Sequence, residues 1–414
     1  MKKKALLIAA MAGALALSAC ASGGDAQPSG QSTGGGEVQE VTLTVWGPQA
    51  DLENATSWLP KQMEAFAAAH PEYKITWKQA VVGEDKAADT VKQDAASAAD
   101  VYMFANDQLG QLIQSSAIGT LPSNVVEQVK SQNSDVMVTS VTGPDGSIYG
   151  VPYTANTWFM YYDKSKFSEE DVKSLDTMLE KGKVSFPLDT AWYLPAFYVG
   201  NGCTFFGPDG TDEAAGIDFT GDKAAKVTEY LVALAKNKNF INDVDGAGLA
   251  AIQNGKASAL FSGTWDAEKV KEALGDNFGA AALPSYNLNG QSIQMKAFAG
   301  SKAAGFNPNS KFPKAAAEFA AYLGSADAQA EHYSMRNVIP TDKSLAADAA
   351  IAADPVASAQ MAVVNSTSIL QPTVTKMGNF WDPAATFGKA IINGDVTAKN
   401  AAEKTEAWNK SMNA

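Results

Sequence analysis

Residues 148–163 read IYGVPYTANTWFMYYD. The run is extended, aromatic and continuous, and it follows a turn-forming GPDGS at Gly143–Ser147. A strand this long can leave one domain and enter another. Upstream, Glu40–Gly47 (EVTLTVWG) alternates Val41, Leu43 and Val45 with Thr42 and Thr44, the period of a half-buried strand. Residues 53–69 follow as a helix with Trp58, Met63, Phe66 and Ala67 on one face. Tyr73–Gln79 predicts a second strand, residues 90–100 a helix, and Val101–Asn106 a buried strand. Strands alternating with helices predict α/β architecture on a parallel sheet. Downstream, residues 222–236 carry Val227, Leu231 and Leu234 at helical spacing. Ala247–Trp265 reads as helix, glycine turn, strand and exposed tryptophan. Phe278–Tyr286 is a second candidate crossover, and the chain from Asp342 onward is mostly helical. No internal repeat is present.

The 414-residue chain carries a formal charge of -13, which argues against nucleic acid or an anionic lipid surface as partner. About 375 residues follow the N-terminal segment, more than one small domain holds, so two domains are expected. Arg336 is the only arginine. His70 and His332 lie far apart without a motif around either, and no HExxH, GxSxG, Walker A or zinc-type spacing occurs. No cofactor is expected.

The chain opens with Lys2, Lys3 and Lys4 and an apolar run, Leu6–Leu17, too short to span a bilayer and suited to a signal peptide over residues 1–19. Leu17-Ser18-Ala19-Cys20 resembles the lipobox of bacterial lipoproteins, which implies cleavage before Cys20 and a diacylglycerol on its sulfur. The Gly-, Ser-, Gln- and Pro-rich stretch that follows cannot bury enough apolar surface to fold, so residues 20–40 are expected to tether a folded body to the outer face of the membrane. With Cys20 lipidated, Cys203 has no partner, and no disulfide is expected.

The order of the motifs LTVWG, ADVYMFANDQLGQL, YGVPYTANTWFMYYDKSKF, FPLDTAWYLPAFYVGNG, IQNGKASALFSGTW and GNFW resembles the extracellular solute-binding proteins of ABC sugar importers, most of all the maltose/maltodextrin-binding proteins. The likeness runs over residues 41–410. It implies a two-lobe, periplasmic-binding-protein-like α/β fold with a hinge of crossing segments and a cleft between lobes. Lobe one would comprise 41–153 plus 286–339, and lobe two 154–285 plus 340–414. The hinges would fall near Thr154–Asn156, Leu283–Tyr286 and Ile339–Thr341. The implied partners are a maltose/maltodextrin-type oligosaccharide and a membrane-embedded ABC permease with its cytoplasmic ATPase. A monomer is expected.

A sugar offers apolar C–H faces and a rim of hydroxyls, so its site needs aromatic planes and planar polar groups. The resemblance places Phe104 as a stacking ring, with Asp107 and Gln108 as polar contacts; Gln108 stands where the family has arginine. Trp265, led out of a strand by Phe261–Thr264, and Trp381, between Gly378 and Pro383, fall where the family stacks sugar. Trp192 and Tyr193 carry the family's second-lobe aromatic position, and the register leaves open which of them faces the ligand. Asn156 occupies the place of an acidic residue in some relatives. Gln49 and Asp51 lie in the loop after the first strand, where polar ligands occur. Trp46, Trp58, Trp77 and Trp408 read as packing, as does Trp158. The alternative of a secreted glycoside hydrolase requires two carboxylates flanking a cleft; Asp107 and Asp189 are candidates but carry no motif. A binding protein for a different oligosaccharide, and an adhesin without a small ligand, are the other readings.

Overall fold

The computed structural model describes residues 38–91, 93–95 and 98–414. The signal peptide, Cys20 and the tether up to Glu37 lie outside the described residues. Among these, no helix is long and apolar enough to cross a membrane.

Two sheets carry the fold. In the first, Tyr73–Val81, Gln39–Gly47 and Val101–Ala105 run parallel. The strand Ala297–Phe306 then adds antiparallel to Val101–Ala105 and to Val151–Asn156, and Ser368–Leu370 pairs with its start. The alternation read in Gln39–Gly47 appears as Val41, Leu43 and Val45 buried between half-exposed neighbours, whereas Val101–Ala105, central in its sheet, is buried throughout. The second sheet orders Phe278–Ala281, Phe159–Asp163, Ala259–Ser262, Val184–Phe186 and Phe240–Asn242. Each sheet has its own apolar core, one built around Leu43, Phe66, Phe104 and Phe319, the other around Phe159, Phe186, Phe261 and Trp408.

The long run 148–163 is two strands in two sheets: Val151–Asn156 belongs to the first and Phe159–Asp163 to the second. The chain thus changes core at Thr157, whose hydroxyl donates to the Phe298 carbonyl at 2.7 Å. The second change falls later than Leu283–Tyr286. Leu283, Tyr286, Leu288 and Met295 all pack in the second core, because Ser285–Leu288 folds into a hairpin with Gln291–Gln294. The strand Ala297–Phe306 makes the crossing instead: Ala297 and Phe298 sit in the second core, Ala303, Ala304 and Phe306 in the first. Ile339 lies at the third join, where its carbonyl accepts from the Thr154 hydroxyl at 2.6 Å.

Local differences have local causes. The expected helix 53–69 begins at Trp58, with a separate short turn at Gln49–Leu52; Trp58, Leu59, Gln62, Met63 and Phe66 form its buried face. The helix expected over 90–100 ends at Val91. Cys203 is a free, buried thiol, which burial pushes up to about 12.

Candidate functional site

A cavity of about 1000 Å³ opens between the two cores. Its first-core wall carries Asp51, Glu84, Tyr153, Asn156, Lys302, His332 and Arg336. Trp265, Glu268, Lys271 and Asp354 face them from the other side.

Trp265 is delivered by the end of the strand Ala259–Ser262. Its ring folds back over Gly263, where a Cβ would meet it at 2.0 Å, so only glycine permits this placement. The turn is held from beneath: the Tyr161 hydroxyl donates to the Gly263 carbonyl at 2.8 Å, and Ser262 Oγ donates to Asp266 Oδ2 at 2.6 Å. The turn that carries the indole is therefore held, and the ring is 50% exposed, an apolar plane open to a ligand. Trp192 stands beside it, ring centroids 5.9 Å apart and planes inclined by 37°. Of the two neighbours left open by the sequence, Trp192 is half-buried at this edge, while Tyr193 is 8% exposed and packs 4.7 Å from Trp158 in the second core.

Trp192 Nε1 donates to Gln371 Oε1 at 2.9 Å. The Gln371 carbonyl in turn accepts from Asn106 Nδ2 at 3.3 Å. Asp107 lies in the same turn as Asn106, with Gln108 Nε2 donating to its Oδ2 at 3.2 Å. Burial raises the Asp107 carboxyl above the ordinary range, and the amides of Gln108 and Gln371 pull the other way. The Ala88 amide donates to Gln108 Oε1 at 3.1 Å, which fixes that side chain. Asp107, Gln371, Trp192 and Trp265 thus form a continuous line from the first core to the second. Trp381 is half-buried, edge-on to Phe298 at 6.2 Å and to Phe380 at 5.2 Å. Asp107, Gln108, Trp192 and Trp381 are not part of the cavity lining.

Two expected contacts lie elsewhere. Phe104 has no exposed surface: its ring fills the space beside Gly150 and Gly305, where added Cβ atoms would sit 2.7 and 3.1 Å from it. It is a core residue in this structure, not a stacking face. Gln49 is exposed and outside the cavity lining, although Pro48, Ala50 and Asp51 line it.

Asp51 lines the cavity but is 3% exposed, and its Oδ1 accepts from His332 Nε2 at 3.0 Å and from Arg336 Nη1 at 2.6 Å. Burial raises its carboxyl, and His332 and Arg336 more than offset this, so it titrates below the ordinary range. Asn156 lines the cavity at the end of its strand, 8% exposed. Glu84, Lys302, His332, Arg336 and Gln371 were not singled out by the sequence. The one available signal was that Arg336 has no other arginine in the chain to share a role with.

Comparison with known proteins bears on this arrangement. The profile of a family described as bacterial extracellular solute-binding protein matches residues 61–359. The chain is 27% identical over 422 residues to the maltooligosaccharide ABC transporter solute-binding lipoprotein of Streptococcus pneumoniae serotype 4 (strain TIGR4), covering 97% of this chain and 95% of that one. It is 26% identical over 424 residues to the galactooligosaccharide-binding protein of Bacillus subtilis (strain 168), with the same shares covered. A structure solved with acarbose is 52% identical, superposes with a TM-score of 0.87, and is matched over 90% of this chain and 98% of that one.

Proposed function

Because the chain belongs to the bacterial extracellular solute-binding protein family, we propose that it captures maltooligosaccharides outside the cytoplasm and delivers them to an ABC permease. The observation that carries the reading is Trp265: a half-exposed indole on a braced turn, facing a wall of carboxylates, amides and cations across a large cavity. An aromatic plane answers the apolar face of a pyranose, and the opposite polar wall answers its hydroxyls.

Trp265 and Trp192 are the stacking residues in this reading, and Trp381 is proposed as a third. Asp107, Asn156 and Asp51 supply polar contacts, and Gln108 holds Asp107 in place. The two cores act as two lobes, and bending falls on the joins at Thr157, within Ala297–Phe306 and at Ile339. Sugar that touches both lobes favours the closed form by its differential affinity for it. The protein is a monomer held to the outer face of the membrane through Cys20, and it binds its sugar without hydrolysing it.

Calorimetric titration with maltose, maltotriose, maltotetraose and acarbose tests the reading, alongside galactooligosaccharides and an unrelated oligosaccharide. Saturable one-to-one binding of the α-glucosides is expected, with no products after prolonged incubation. Preferential binding of galactooligosaccharides assigns a different sugar. Steady hydrolysis of maltotetraose contradicts the transport reading.

A further inference from the structure

Asp266 immediately precedes the helix Ala267–Leu274, the position from which an aspartate ordinarily caps its own helix by accepting from the amide of Glu268 or Lys269. No such cap bond forms here. The carboxylate turns back instead to the strand Ala259–Ser262, where Oδ2 accepts from the Ser262 hydroxyl at 2.6 Å. That bond closes residues 262–266 on themselves, with Trp265 inside the closed stretch. Ser262 is buried, so water competes little for its hydroxyl.

The same carboxylate stands near the carrier of the other indole. Burial raises the Tyr193 hydroxyl far above its ordinary range, Asp266 and Asp243 raise it further, and the Ser262 hydroxyl opposes them. Asp266 acts in the same direction on the Tyr161 hydroxyl, which donates to the Gly263 carbonyl at 2.8 Å. Tyr193 packs on Trp158 and meets its chain neighbour Trp192 edge-on, ring centroids 5.5 Å apart and planes at 84°. One short polar cluster thus reaches both the turn that carries Trp265 and the residue beside Trp192. These two indoles are the one tryptophan–tryptophan ring pair among the described residues.

We infer that Asp266, acting through Ser262, is a positioning residue for this pair: it forgoes capping its own helix and holds the turn that sets how Trp265 meets Trp192. The inference rests on the reading of the two indoles as stacking residues. The exchange is what separates this role from plain scaffolding. A cap would stabilise the helix, whereas the bond to Ser262 leaves that helix end without its cap and fixes the geometry of a surface that a ligand meets. Local rules set aside in this way are expected at functional sites.

The test compares the unaltered protein with Ser262→Ala, Asp266→Ala and Asp266→Asn by denaturant unfolding, by maltotetraose calorimetry and by far-ultraviolet circular dichroism. Two indoles in contact give a coupled pair of dichroic bands, and Trp265→Phe supplies the spectrum without them. Ser262→Ala frees Asp266 to cap its helix, so its stability should match or exceed that of the unaltered protein. Its coupled bands should nevertheless weaken, and it should bind maltotetraose about three- to tenfold more weakly. Asp266→Ala should lose bands and affinity in the same way, and Asp266→Asn, which keeps the acceptor and the shape, should keep both. Bands or affinity left unchanged in Ser262→Ala overturn the inference, and so does a loss of affinity that comes only with a loss of stability. If Asp266→Ala fails to fold, Ser262→Ala decides. Binding of no α-glucoside by the unaltered protein overturns the proposed function; the bands of Ser262→Ala then still decide whether Asp266 holds the pair.

Discussion

Trp192 of the second core and Gln371, on the chain just after its last first-sheet strand, are joined by a hydrogen bond of 2.9 Å from the indole nitrogen to the amide oxygen. Gln371 is 1% exposed, so this bond is sheltered from water and sets the plane of the indole beside Trp265. Gln371→Leu removes the acceptor and leaves a polar N–H without its partner, a loss of about 1–3 kcal/mol in a buried setting. The expected outcome is maltotriose affinity lowered by about threefold or more, read by calorimetry. Unchanged affinity would mean that the orientation of Trp192 does not matter to binding.

Trp265→Ala removes the free aromatic face. A ring contact adds about 0.5–1.5 kcal/mol beyond its area burial, so with the lost area a drop of about tenfold or more is expected for maltose and maltotetraose alike. The fold should survive, because the indole is half-exposed and the turn is held by Tyr161 and Asp266. Wild-type affinity in a folded variant would put the sugar elsewhere.

Asp51 predicts an acid dependence of stability. Its native carboxyl titrates below the ordinary value, so its contribution is complete above the unfolded carboxylate's titration, near pH 4, and is lost as pH falls through the lower native value. Asp51→Asn should cost about 3 kcal/mol at neutral pH, the low end for a broken buried pair because Arg336 is 33% exposed. The gap between the two proteins should narrow as pH falls below about 4. Denaturant titration of both proteins at several pH values checks this; a pH-independent gap would count against the ion cluster.

Cys20→Ala should release the protein from the membrane while leaving sugar affinity unchanged, because the tether separates the lipid from the folded body. Retention of the variant in the membrane fraction after a high-salt wash would contradict the anchor.

Much of this was legible in the sequence where periodicity and local chemistry decide. The alternation of Val41, Leu43 and Val45 gives its strand, and the glycine before the Thr264–Trp265 pair marks an exit from the core. Long-range packing was not legible. Phe104 sits near the end of a strand in a motif that resembles a sugar contact, but Gly305, on the antiparallel neighbour Ala297–Phe306, and Gly150, just before Val151–Asn156 one strand further on, leave a space that its ring fills. Trp192 and Tyr193 alternate faces only once Trp158 claims Tyr193 for the core. The charged wall was hidden for the same reason: Lys302 meets Glu84 across 218 positions, His332 and Arg336 meet Asp51 across 281 and 285. No local spacing reports such pairs. The resemblance implies a crossing at Leu283–Tyr286, yet the hairpin that follows returns the chain to the second core.

The central claim is that one oligosaccharide is gripped between two cores that move on the joins at Thr157, within Ala297–Phe306 and at Ile339. Small-angle X-ray scattering with and without saturating maltotetraose tests it most directly. The account predicts a smaller radius of gyration on saturation, as the two cores close over the sugar at Trp265. A radius of gyration unchanged at full occupancy would contradict it.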